Sequence, residues 1–137
     1  MINFKIHHVA ISVKNLEKSY NFYKKFWFEK ILYWQDEEKT LEIMHLKLKD
    51  FILEIFCFKN SKEMYDTEKN LQTSLPRIWV KHFWIQVENL DNLKEFFEKE
   101  KIAENIKIQI WRTGIKYFFI KDPDGILLEF VEDNRKI

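Results

Sequence analysis

The stretch His7–Lys25 reads HHVAISVKNLEKSYNFYKK, and Lys81–Lys99 reads KHFWIQVENLDNLKEFFEK. Laid over one another at an offset of 74 residues, they place His8 on His82, Val13 on Val87, Asn15 on Asn89, Leu16 on Leu90 and Phe22 on Phe96. Farther along, ILEIF (Ile52–Phe56) is answered by LLEFV (Leu127–Val131), so that Glu54 corresponds to Glu129 with the offset drifting by one residue. Self-similarity of this kind predicts two copies of one supersecondary unit. The copies also keep their ionisable residues on otherwise apolar strands, and that points beyond shared fold to shared chemistry.

Each copy opens with alternation at a period of two and continues at a helical period. Residues 4–13 read as a strand, and Asn15 as the N-cap of a helix with Glu17 in its first turn. Leu16, Tyr20, Tyr23 and Trp27, flanked by Phe22 and Phe26, predict a wide buried stripe. Short alternating runs follow near 29–36, 40–48 and 51–58, with Lys49-Asp50 turning between the last two. A polar connector, 59–77, ends in Leu75-Pro76. The order then recurs as strand 78–88, helix from about Asp91 to Lys101, and strands near 105–112, 115–121 and 126–131, the last preceded by the turn chemistry of Asp122-Pro123-Asp124-Gly125. The expected architecture is α+β, with two βαβββ modules in one domain: module 1 over about 1–60 and module 2 over about 77–137.

Composition narrows the function classes. With 137 residues, 46% hydrophobic and 17% aromatic, the chain can bury a core. A net charge of +1 gives no broad basic surface for nucleic acid and no polybasic membrane patch. Apolar runs are strand-sized, short of the ~20 residues of a membrane helix, and no signal-peptide profile opens the chain. The one cysteine, Cys57, excludes an internal disulfide and suits a reducing cytoplasm. Only two Gly and two Pro occur, so a Gly-rich phosphate loop is ruled out.

Strand periodicity sorts the side chains. Val9, Ile11 and Val13 face the helix, as do Phe83, Ile85 and Val87, Leu53, Ile55 and Cys57, and Leu128 and Phe130. His8, Ser12, Glu54, Phe56, Phe58, His82, Trp84, Gln86 and Glu129 share the opposite faces. If the two sheets pair into a curved surface, that face is a cleft lined by Phe56, Phe58, Trp84, Tyr117 and Phe119, the usual form of a small-molecule site. A single half-exposed His or Glu on a strand is ordinary. Two imidazoles and two carboxylates at equivalent repeat positions form a ligand set for one borderline divalent ion: Zn²⁺, Ni²⁺, Co²⁺, Mn²⁺ or Fe²⁺. His7 and His45 have no such counterparts and read as structural or solvent-exposed. Cys57 reads as an inert buried thiol.

HVAISVKNLEKSYNFY, LEIF, HFWIQVENL and KDPDGILLEF, in this order and spacing, resemble the glyoxalase I/bleomycin-resistance/extradiol-dioxygenase (vicinal oxygen chelate) superfamily over nearly the whole chain. The resemblance implies two modules around a cleft, often in a homodimer, and for the glyoxalase I type a Ni²⁺ or Zn²⁺ held by residues matching His8, Glu54, His82 and Glu129. It further implies isomerisation of a small carbonyl or hemithioacetal substrate by metal-stabilised enediolate proton transfer, with Glu129 shuttling the proton and Glu54 as its companion carboxylate. Ser12 stands where bacterial members commonly carry Arg, and the segment between Glu54 and His82 is long. Both departures argue against glutathione itself, and leave Lys59, Lys62 or Arg77 as replacement anion binders. The alternatives are a metal-free sequestering protein of the bleomycin-resistance type, and an Fe²⁺ dioxygenase using His8, His82 and Glu129, in which Glu54 would crowd the oxygen site.

Overall fold

A computed structural model describes residues 2–136, which divide into two compact units, 2–65 and 66–136. The first unit runs β1 (His8–Ser12), α1 (Leu16–Tyr23), a 3₁₀ turn at Lys24–Phe26, β2 (Glu29–Gln35), β3 (Leu41–Leu48) and β4 (Phe51–Phe58). The second opens with a 3₁₀ turn at Asp66–Glu68 and the four-residue α2 (Leu71–Ser74). It continues with β5 (Phe83–Gln86), α3 (Leu90–Lys99), β6 (Gln109–Ile110), β7 (Lys116–Lys121) and β8 (Leu127–Glu132). Strand order is β1-β4-β3-β2 in one sheet and β5-β8-β7-β6 in the other. In both, the first strand runs parallel to the last while the remaining pairs are antiparallel. The chain therefore has the α+β fold of two βαβββ modules.

The repeat persists in individual bonds. Asn15 Oδ1 accepts the Lys18 amide at 2.8 Å, and Asn89 Oδ1 accepts the Asn92 amide at 2.9 Å. These caps satisfy amides that the first helical turn leaves without partners. Val13 N donates to Phe56 O, and Val87 N to Val131 O, each at 2.8 Å. In both units a first strand thus docks on the last, and a capped helix starts immediately beyond it.

The cores lie under the helices. Leu53, Ile55, Cys57, Met44 and Leu46 are buried on one side of the first sheet, with Leu16, Tyr23 and Phe26. In the second, Phe97 of α3 meets Phe118 and Phe130 edge-on at 5.8 and 5.1 Å. Leu127 and Val131 are buried as well, although they lie on Glu129's face.

Several expectations need correcting. Residues 4–7 and 78–82 are not strand, and β6 has only two residues instead of the run 105–112. Trp27 ends the α1 stripe exposed instead of buried, because the chain turns there with φ 64°. The connector contains α2, started by Asn70 accepting the Gln72 amide. Among the described residues no helix is long and apolar enough to cross a membrane.

The turn before β8 is held by one side chain. Asp122 Oδ1 accepts the amides of Asp124 and Ile126, both at 2.9 Å, and Gly125 supplies the left-handed residue at φ 86°. At the other end of β8, Glu132 accepts the Leu90 amide at 3.0 Å, with Lys116 Nζ and Asn134 Nδ2 beside it. The Leu90 amide first, and then Lys116, hold this carboxyl below the ordinary 4.5, against burial, which works upward. A carboxylate whose pKa is lower folded than unfolded stabilises the fold above the unfolded value, and that contribution fades as pH falls through the folded one. Glu132→Gln is therefore expected to melt at lower temperature than wild type at pH 7, with the gap closing as pH drops below the ordinary glutamate value. Thermal melts at pH 7 and in mild acid measure this.

Candidate metal centre

In the first unit, cross-strand register gathers the polar residues of the face opposite α1. Ala10 pairs with Glu54 across β1–β4, and His45 pairs with Glu54 across β3–β4, so that His8, Glu54 and His45 point the same way. His8 Nε2 lies 3.3 Å from Glu54 Oε2, and His45 Nε2 donates to Glu54 Oε1 at 2.9 Å. His8 Nδ1 is 2.9 Å from His7 Nδ1. With a hydrogen on His8 Nδ1, its Nε2 lone pair points toward Glu54, as a metal ligand requires. His45, read from the sequence as structural or solvent-exposed, thus joins this polar cluster, while His7 is exposed, as read, beside His8. Ser12 is exposed opposite Phe56, and Phe56 stacks at 6.4 Å on the exposed Phe58.

The second unit repeats the central pair. His82 Nε2 lies 2.8 Å from Glu129 Oε2, with both side chains about four-fifths shielded from solvent. Across β7–β8, Glu129 faces Phe119, where the first unit has His45. Phe119 meets the His82 ring edge-on at 4.9 Å. His82 Nδ1 is buried with no hydrogen-bond partner. A buried unsatisfied nitrogen costs about 1–3 kcal/mol. An apolar ring at this position would avoid that cost, so the imidazole is explained by what its donor atoms do.

These pairs fit a divalent ion. Two donors each about 2.1 Å from one ion are about 3 Å apart in an octahedral shell and about 3.4 Å apart in a tetrahedral one. The nitrogen–oxygen separations, 2.8 and 3.3 Å, are those of hydrogen-bonded His–carboxylate pairs and lie close to that range. His8 comes together with Glu54, and His82 with Glu129. Among the described residues, no three His, Cys, Asp or Glu side chains form a ligand group.

His82 and Glu129 open onto a cavity of about 500 Å³ within the second unit. Trp84, Gln86, Tyr117 and Phe119 line it as the alternation predicts, joined by Leu71, Leu75, Trp111, Thr113, Ile115, Val131, Asp133 and Arg135. Tyr117 donates to Gln109 Oε1 at 2.7 Å. Burial first, and then the Glu129 charge, push its phenol up, so it remains a neutral donor. The sequence reading missed α2 and the tail after β8. Asn70 as a cap signalled the former, and continuing the period of two from Glu129 through Val131 reaches Asp133 and Arg135.

The sequence model of the glyoxalase/bleomycin resistance protein/dioxygenase superfamily matches residues 5–130. The chain belongs to this superfamily. Among its relatives is the uncharacterized protein YwkD of Bacillus subtilis (strain 168), 31% identical over 135 residues, spanning 96% of this chain and 99% of that one. A glyoxalase family protein from Enterococcus faecalis superposes with a TM-score of 0.75 at 29% identity, covering 93% of this chain and 97% of its own. A lactoylglutathione lyase from Agrobacterium tumefaciens shares the superfamily fold at 21% identity and a TM-score of 0.63, over 93% and 92% of the two chains.

Proposed function

We propose that this superfamily member is a metal-dependent lyase or isomerase of the glyoxalase I type, acting on a small carbonyl or hemithioacetal substrate. His8, Glu54, His82 and Glu129 are the ligands of one divalent ion, Ni²⁺ or Zn²⁺, in a protein that works as a homodimer. The observation that supports the reading is the His–carboxylate pair, repeated in both units with Glu54 and Glu129 at equivalent register positions of the two sheets. When bound, such an ion supplies Lewis-acid stabilisation of negative charge on a substrate oxygen.

The chain's own residues divide the remaining work. Glu54 has one oxygen held by His45 and the other toward His8, so it is the fixed carboxylate. Across β7–β8 Glu129 faces Phe119, which offers no hydrogen bond where His45 holds Glu54, and it lines the cavity. It is the carboxylate placed to accept a proton from substrate carbon and return it to the neighbouring carbon, a net isomerisation that needs no oxidant. The aromatic side chains lining the cavity lower its polarity, which strengthens electrostatic interactions within.

The test is metal analysis of protein as purified, together with a hemithioacetal isomerase assay on chelated protein resupplied with Ni²⁺ or Zn²⁺. Stoichiometric metal and metal-restored turnover are expected. Protein that neither retains a metal nor gains activity would overturn the assignment, and chelator-indifferent ligand binding would favour sequestration.

A further inference from the structure

We propose that Arg135 makes the cavity of the second unit a site for a molecule with a carboxylate at one end and an apolar body. This deepens the function proposed above by naming the substrate's charged end, and it is tested without metal. Arg135 Nε and Nη2 donate to Asp133 Oδ1 and Oδ2, both at 2.8 Å, and the Arg135 amide donates to Oδ1 at 3.1 Å. Asp133 is nearly covered and Arg135 is partly exposed. The guanidinium holds the Asp133 carboxyl down at about 2, so the grip persists wherever a carboxylate ligand is ionised.

That fork uses one edge of the guanidinium. The other edge, with Nη1 and the second hydrogen of Nη2, has no partner among the described residues. A planar pair of N–H groups fixed in orientation matches a carboxylate bidentately. Arg135 lines the same cavity as Leu71, Leu75, Trp84 and Trp111, so an apolar body has walls to contact. Two acidic side chains, Asp133 and Glu129, also line it. Asp133, beside the clamp, balances the Arg135 charge and disfavours a dianion such as phosphate, leaving a monocarboxylate as the anion that the open edge of one Arg can take. At about 3.3 Å per residue of extended backbone, Glu129 and Asp133 lie up to about 13 Å apart along the chain. The His82–Glu129 pair and the anion clamp are therefore separate points on the wall of one cavity.

The probe is 4-phenylbutyrate against its neutral amide, titrated into the full chain with chelator present and followed by tryptophan fluorescence, to which Trp84 and Trp111 of the cavity contribute. The acid is expected to bind about tenfold tighter than the amide or better. Arg135→Met is expected to bring the acid down to the amide's affinity while the amide binds as before, which also shows that the pocket is folded. Arg135→Lys, with charge but no fork, falls between. Equal binding of acid and amide by wild type, no binding of the acid, or an unchanged preference in Arg135→Met would each overturn the proposal. Because no metal takes part, loss of the acid preference counts against the clamp alone. Absence of metal-dependent turnover with the preference intact counts against the isomerase reading alone.

Discussion

Glu129→Gln is expected to lower isomerase turnover by about a hundredfold to ten-thousandfold, the usual contribution of a positioned general base. The amide matches the carboxylate in size, so packing against Phe119 and Val131 is retained. Its oxygen can still face His82 Nε2, now 2.8 Å from the carboxylate. What it lacks is basicity. If Glu129 moves the proton, the loss falls on kcat, and the mutant still binds an apolar carboxylate in the cavity. Glu54→Gln should fail differently, losing metal first, because of the two proposed carboxylate ligands Glu54 is the one gripped from two sides. Metal content and kcat measured together on both variants separate the roles. Turnover by the Glu129→Gln variant within a few-fold of wild type would remove Glu129 from the proton path.

The sequence showed the repeat because its repeating parts are locally encoded. An Asn cap, a Lys49-Asp50 hairpin and an Asp-Pro-Asp-Gly turn each carry their own geometry, and alternation sorted the faces of β4 and β8 correctly. Strand length was not legible, because it depends on a partner. β1 and β5 are edge strands, and their alternating apolar leaders at 4–7 and 78–82 run past the beginnings of β4 and β8, where there is no ladder to join. β6 is short because the turn from Trp111 to Ile115 leaves only Gln109 and Ile110 opposite β7. The site was half legible for a related reason. Comparing copies singled out residues present in both, and so passed over His45, whose counterpart is Phe119. The hairpin register shows it: a two-residue turn at 49–50 places 45 opposite 54. Arg135 was hidden because the last strand was taken to stop at 131, two residues short of Asp133.

That mismatch between the copies leads to the second large effect. His45→Phe would give the first unit the arrangement found in the second, leaving Glu54 Oε1 without its 2.9 Å donor. Groups that orient a metal-ligating carboxylate contribute about 10–100-fold to metal affinity, and a loss of that size is expected in Ni²⁺ or Zn²⁺ competition titrations. His45→Gln, which still offers an N–H, should recover part of it, while turnover per bound metal changes little in either variant. The reciprocal change tests the same asymmetry from the other side. Phe119→His would place a donor opposite Glu129, as His45 is placed opposite Glu54. It should hold metal at least as well as wild type and turn over more slowly, because the carboxylate that must move its proton would then be tied. If His45→Phe binds metal like wild type and Phe119→His keeps full turnover, the two carboxylates are not divided between holding and proton transfer, and the asymmetry of the repeat has no part in the reaction.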